Sequence, residues 1–256
     1  MVLAGKIFCK TGHMISAAFF GALSSVTLIL GALLAYVFKP DPKLTAIVMA
    51  LGSGLLIGSV AYDLVADAQS SISMTTVAIS LMAGAMVFVL GSRALERRGS
   101  SRKNPQPNQD APSNPMAIVL GSALDGVPES FVLGLSVLSG GVSMPLLLGI
   151  GLSNIPEGMA ASAGLRERKW PLLKVLLLWS AVVVTSAVSA VLGHEVLASD
   201  DGTWTGIVQT FAAGALLAMI SDTMLPESFA IERVWTGGLV VAGFSLSLLI
   251  AAMLGA

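Results

Sequence analysis

Cysteine and histidine are almost missing from this sequence, with one Cys and two His in 256 residues. Cys9 has no partner for an internal disulfide, and one thiolate cannot build a structural zinc cage. The His-Glu-x-x-His signature of a metalloprotease does not occur. Charge is scarce as well. Asp, Glu, Lys and Arg make up only 11% of the chain, against about a quarter in soluble domains, which excludes an ordinary soluble globule. The 14 basic and 15 acidic side chains leave no cationic face, so no nucleic acid is expected as a partner.

What the sequence does have is apolar length. Hydrophobic residues account for 55% and the mean hydropathy is +0.85. A bilayer core takes roughly 20 helical residues to cross. Eight runs of that order occur, near 14–38, 43–66, 74–95, 116–139, 143–165, 171–193, 204–227 and 234–255, numbered here as predicted helices 1 to 8. The alternating pattern of barrel strands is absent, so the fold class read from sequence is an all-α membrane protein with eight transmembrane helices. Residues 1–256 read as a single transmembrane domain. The first run is too long for a signal-peptide core, and Lys39-Pro40 follows where small residues would be needed for cleavage.

Basic residues set the expected orientation. Lys39, Lys43, Arg93, Arg97, Arg98, Arg102, Lys103, Arg166, Arg168, Lys169, Lys174 and Arg233 fall on one side, and only Lys6 and Lys10 on the other. This places both termini outside a plasma or inner membrane. Residues 96–115, with Pro105, Pro107, Pro112 and Pro115 among Ser, Asn, Gln and Arg, read as a flexible cytoplasmic linker.

The residues that point to function are acids within the spans, because a carboxylate in the membrane is expensive and usually marks a pathway or site. Predicted helix 4 contains Asp125-Gly126-Val127-Pro128-Glu129-Ser130, and predicted helix 5 contains Ser153-Asn154-Ile155-Pro156-Glu157-Gly158. In each, a polar side chain four residues before the glutamate shares its helix face, and a proline frees a backbone carbonyl one turn earlier. Discontinuities of this kind at mid-membrane depth are where secondary transporters commonly hold ions. A second resemblance links residues 54–68, which contain Asp63 and Asp67, to residues 214–228, which contain Asp222 and Glu227. It reads as an inverted repeat that sets acids near opposite membrane faces. These four also fit solvated positions at helix ends. His13 and His194 read as ordinary surface residues.

Three, two and three spans, a linker after helix 3, paired Pro-Glu motifs and Ser221-Asp222-Thr223-Met224-Leu225-Pro226-Glu227 on helix 7 together resemble the ZIP (Zrt/Irt-like) divalent metal transporters. The resemblance implies a 3+2+3 bundle and metal-ligand roles for Asp125, Glu129, Ser153, Asn154 and Glu157. Asp63, Asp67, Asp222 and Glu227 are the weaker pathway positions. It further implies alternating access, transport toward the cytoplasm and a homodimer. The divalent ion (zinc, manganese or iron) is the transported substrate; no separate cofactor and no enzymatic activity are expected. Departures from the family pattern are concrete. Asp125-Gly126 stands where His-Asn is usual, Ser153 replaces a frequent His or Gln, and Asp63 replaces a frequent His. The resulting site is oxygen-only unless Met159 or Met224 adds sulfur. Oxygen sites suit manganese well, while the affinity order still favours zinc, so the two stay open. The competing class is a transport-inactive membrane scaffold or receptor that kept the ZIP fold.

Overall fold

The computed structural model describes residues 2–38, 41–97, 115–138, 142–197 and 202–254, with side chains described over 12–38, 41–94, 126–137, 142–195 and 202–254. Among the described residues eight helical rods follow one another, and there is no strand. Helix 1 is Val2–Val37, helix 3 Met74–Arg97, helix 4 Pro115–Leu138, helix 5 Met144–Glu167, helix 6 Leu172–Leu197 and helix 8 Thr236–Leu254. Helix 2 runs as Pro42–Ser59 and passes into a π-helical stretch, Val60–Ala66. Helix 7 does the same, from Thr203–Met219 through the π stretch Ile220–Met224 into Leu225–Ile231.

Six of these rods are long and apolar enough to cross a membrane: 12–37, 42–66, 74–94, 172–195, 203–231 and 236–254. This is a multi-pass, all-helical membrane protein. Helix 5 has 24 residues, which at about 1.5 Å each gives enough length to span, but Ser153, Asn154, Glu157 and Ser162 dilute its apolar character. It can carry them because it is enclosed, with buried residues on several faces from Pro145 to Leu165. For helix 4 the apolar stretch with described side chains is Gly126–Val137. The start of helix 1 differs from the sequence expectation by a dozen residues. Lys6 and Lys10 lower hydropathy there, but lysine is a good helix former and does not stop the helix.

Helix starts have local causes. Asp41 caps helix 2, its carboxylate accepting from the Lys43 amide at 2.9 Å ahead of Pro42, and Ser143 caps helix 5 by accepting from the Leu146 amide at 3.2 Å. Helix 5 ends with Lys169 in the left-handed region at φ 60°. Its amide donates to the Arg166 carbonyl and that of Trp170 to the Leu165 carbonyl, the paired bonds of a Schellman motif.

The rods pack as two groups, helices 1, 4, 5 and 6 and helices 2, 3, 7 and 8, joined where helix 2 meets helix 5 and helix 4 meets helix 7. The larger apolar core lies on that junction and includes Leu56, Val60, Leu133, Ile150, Leu216 and Ile220. A second core, built around the fully buried Trp179, ties helices 1, 5 and 6; the Trp179 indole N–H donates to the Ser162 hydroxyl at 2.9 Å. Lipid tails give apolar helices little reason to associate, so backbone proximity at small residues has to hold them. In the second group this takes one repeated form. A methyl on Gly54 would strike the Val240 carbonyl and one on Gly243 the Leu51 carbonyl; a methyl on Gly214 would strike the Leu81 carbonyl and one on Gly84 the Phe211 carbonyl. The helix 2–8 crossing and the helix 7–3 crossing thus use the same register.

Candidate functional site

Glu129 lies in the middle of helix 4 and is 2% exposed, with Ser130 fully buried beside it. Helix 6 approaches helix 4 two residues earlier, where the Ser189 hydroxyl donates to the Val127 carbonyl at 2.7 Å. On helix 5, Ser153 and Asn154 are buried and Glu157 is half-buried. Helix 2 approaches closely at this level, because a methyl on Gly52 would sit 3.1 Å from the Ser153 amide nitrogen. The Ser153 hydroxyl donates to the Ile150 carbonyl at 2.9 Å, leaving its lone pairs to accept a proton or face a cation. Asn154 donates its side-chain N–H to the Ser24 carbonyl of helix 1 at 3.0 Å, so its amide nitrogen is committed to helix 1 and its oxygen is the available donor atom. The buried hydroxyls of Ser25 and Ser130 have no hydrogen-bond partner. Unsatisfied buried hydroxyls are uncommon and mark places where a polar guest or water fits.

The side chain of Asp125 lies outside the described residues. Among the described residues, no three His, Cys, Asp or Glu side chains are grouped closely enough to hold a metal ion. The two prolines leave helices 4 and 5 continuous. The irregular backbone lies instead in helices 2 and 7, where the second pair of acidic segments sits. The π stretches begin at Val60 and Ile220, 160 residues apart, the same offset that relates residues 54–68 to 214–228. A π stretch displaces the i→i+4 ladder and so releases backbone groups, and it occurs often at functional sites.

In helix 2 that release is visible. The Asp63 carbonyl accepts from the Gln209 side-chain N–H of helix 7 at 3.1 Å, and the same nitrogen reaches the Asp67 carboxylate at 3.2 Å. The Asp63 carboxylate accepts from the Ser143 hydroxyl, which also caps helix 5. Asp63 is half-buried and Asp67 exposed, while Gln209 is buried. Sequence reasoning missed both Gln209 and Ser143. Gln209 was detectable as the one amide in the otherwise apolar run from Trp204 to Ile220, and Ser143 as a cap ahead of Met144-Pro145.

At the equivalent stretch of helix 7, Asp222 is exposed and Glu227 half-buried. The Thr223 hydroxyl donates back to the Met219 carbonyl at 2.6 Å. Met224 packs in the junction core, which accounts for it as apolar filling, and Met159 is buried on helix 5. Of the two histidines, His13 is exposed as the sequence suggests, while His194 departs from that expectation. His194 is 3% exposed and its ring stacks on that of His13, with centroids 6.0 Å apart and planes 10° from parallel. Compared with known proteins, the chain matches no family model and no curated protein.

Proposed function

We propose that this protein is a ZIP-like permease with eight spans arranged 3+2+3, which moves a divalent metal ion toward the cytoplasm by alternating access. The observation that carries the reading is Glu129, a carboxylate 2% exposed in the middle of helix 4 and adjacent to the unsatisfied hydroxyl of Ser130. A buried anion is costly in a low-dielectric setting, and a dication passing through would offset that cost. Glu157, the Ser153 hydroxyl and the Asn154 amide oxygen supply further oxygen donors on helix 5, and Asp125 supplies one on helix 4. Oxygen donors of this kind suit manganese and accept zinc or iron.

Asp63 and Asp67, held by Ser143 and Gln209, would attract the cation at one end. Asp222 and Glu227 would release it at the other. The two-group packing also suits alternating access, since the groups meet along an apolar junction between helices 2 and 5 and helices 4 and 7. Such a junction can slide without breaking an extended polar network.

Vesicles containing purified protein test the proposal. Zinc, manganese and iron uptake are measured for the parent and for Glu129→Gln with Glu157→Gln, which keeps side-chain size and removes both charges. Uptake of at least one metal by the parent and a fall of about tenfold or more in the double variant are expected. Parental uptake by the double variant would put the pathway elsewhere. No uptake by the parent would favour a scaffold or receptor.

A further inference from the structure

The chain has two histidines, 181 residues apart, and the fold brings them together. His13 sits near the start of the membrane-crossing stretch 12–37 of helix 1 and is exposed; His194 sits in the last turn of helix 6 and is buried. Their rings lie nearly parallel at 6.0 Å. The His194 Nδ1 faces the Glu195 carboxylate at 3.2 Å. An ionised carboxylate can only accept, so this contact places the proton on Nδ1. In the neutral imidazole the lone pair then resides on Nε2. A carboxylate oriented behind a histidine is the arrangement that fixes tautomer and ring direction in metal sites.

We propose that His13 and His194 form a second divalent-metal site, taking a borderline ion such as zinc or copper through imidazole nitrogen, with Glu195 as the positioning residue. Zinc–nitrogen bonds are about 2.0–2.1 Å, so the two rings must converge from their stacked positions. His13 is exposed and supplies that movement by a change of side-chain rotamer. The remaining coordination positions are filled by water. A cation is also favoured here by the carbonyl end of helix 6. The site links helix 1 to helix 6 inside one packing group, so metal there clamps two helices that already touch. It is chemically distinct from the oxygen donors of helices 4 and 5 and does not depend on their role.

Copper(II) is the probe, added at one equivalent to tag-free protein in detergent, with pulsed electron paramagnetic resonance reading the remote imidazole nitrogen. Two coordinated imidazoles are expected in the parent and one in His13→Gln. None is expected when His194→Gln is added. Glu195→Gln should weaken binding about 10- to 100-fold. His13 is exposed, so its variant tests the site even where His194→Gln fails to elute as a folded species. The Glu129→Gln, Glu157→Gln protein should keep the two-imidazole signal, which separates this site from the proposed pathway. Absence of imidazole coupling in the parent, or coupling unchanged in His13→Gln, overturns the proposal.

Discussion

At the scale of single residues, chemistry was legible in the sequence where burial contradicts residue type. An acid within an apolar run stands out without any structure, and Glu129 proves buried. Long-range partners were not legible. Nothing near position 209 announces that Gln209 will hold Asp67 and the Asp63 carbonyl, because the link spans more than 140 residues. His13 and His194 were equally opaque; each looks like a boundary residue until helix 1 and helix 6 pack. Asp125 offers a test of the site at this scale. It stands where the resembled family usually has an imidazole, so Asp125→His should raise the zinc-to-manganese uptake ratio, by several-fold given nitrogen's preference for zinc. Competition uptake in vesicles measures the ratio, and no change would count against Asp125 as a ligand.

At the scale of elements, hydropathy located the six apolar rods to within a few residues, the extended start of helix 1 apart. That accuracy has a simple basis, since a lipid-facing helix must be apolar over its whole length and polar turns must lie outside it. The π stretches left no such trace, because one extra residue per turn shifts the helix face without changing composition. What the sequence did carry was the matching spacing of residues 54–68 and 214–228, and the structure gives that spacing a physical content. Gly54 and Gly214 each face a carbonyl of the neighbouring helix, Val240 and Leu81 respectively. Replacing either by Ala should force the helices apart, with a cost of about 1–3 kcal/mol as for other overpacked sites. Gly91, with open space where a Cβ would go, is the control, and Gly91→Ala should be neutral or slightly stabilising in helix 3. Thermal unfolding in detergent separates the two outcomes; equal stability of Gly54→Ala and Gly91→Ala would mean that the close crossing is not what holds helices 2 and 8.

At the scale of the whole molecule, side-chain contacts define two ends. The Tyr36 hydroxyl reaches the Trp170 carbonyl at 2.7 Å, and Arg166 reaches the Ala35 carbonyl at 2.8 Å, so the 1–2 and 5–6 connections share one end. Gly202 lies beside Ser71, and Ser143 bonds Asp63, so the 2–3 connection and the starts of helices 5 and 7 gather at the other, with His13 and His194 on the same side. The first end carries Lys43, Arg166, Arg168, Lys169 and Lys174, and the 2–3 connection at the second has no Lys or Arg between Ala68 and Ser73. Positive charge resists translocation, which predicts that the first end faces the cytoplasm. Single cysteines in a Cys9→Ser background check this. Ser71→Cys, on the exposed 2–3 connection, should react with an impermeant thiol reagent applied to intact cells, and Glu167→Cys, on the exposed end of helix 5, should react only after permeabilisation. The reverse order would put Asp63 and Asp67 on the cytoplasmic side and turn the entrance of the proposed path into its exit.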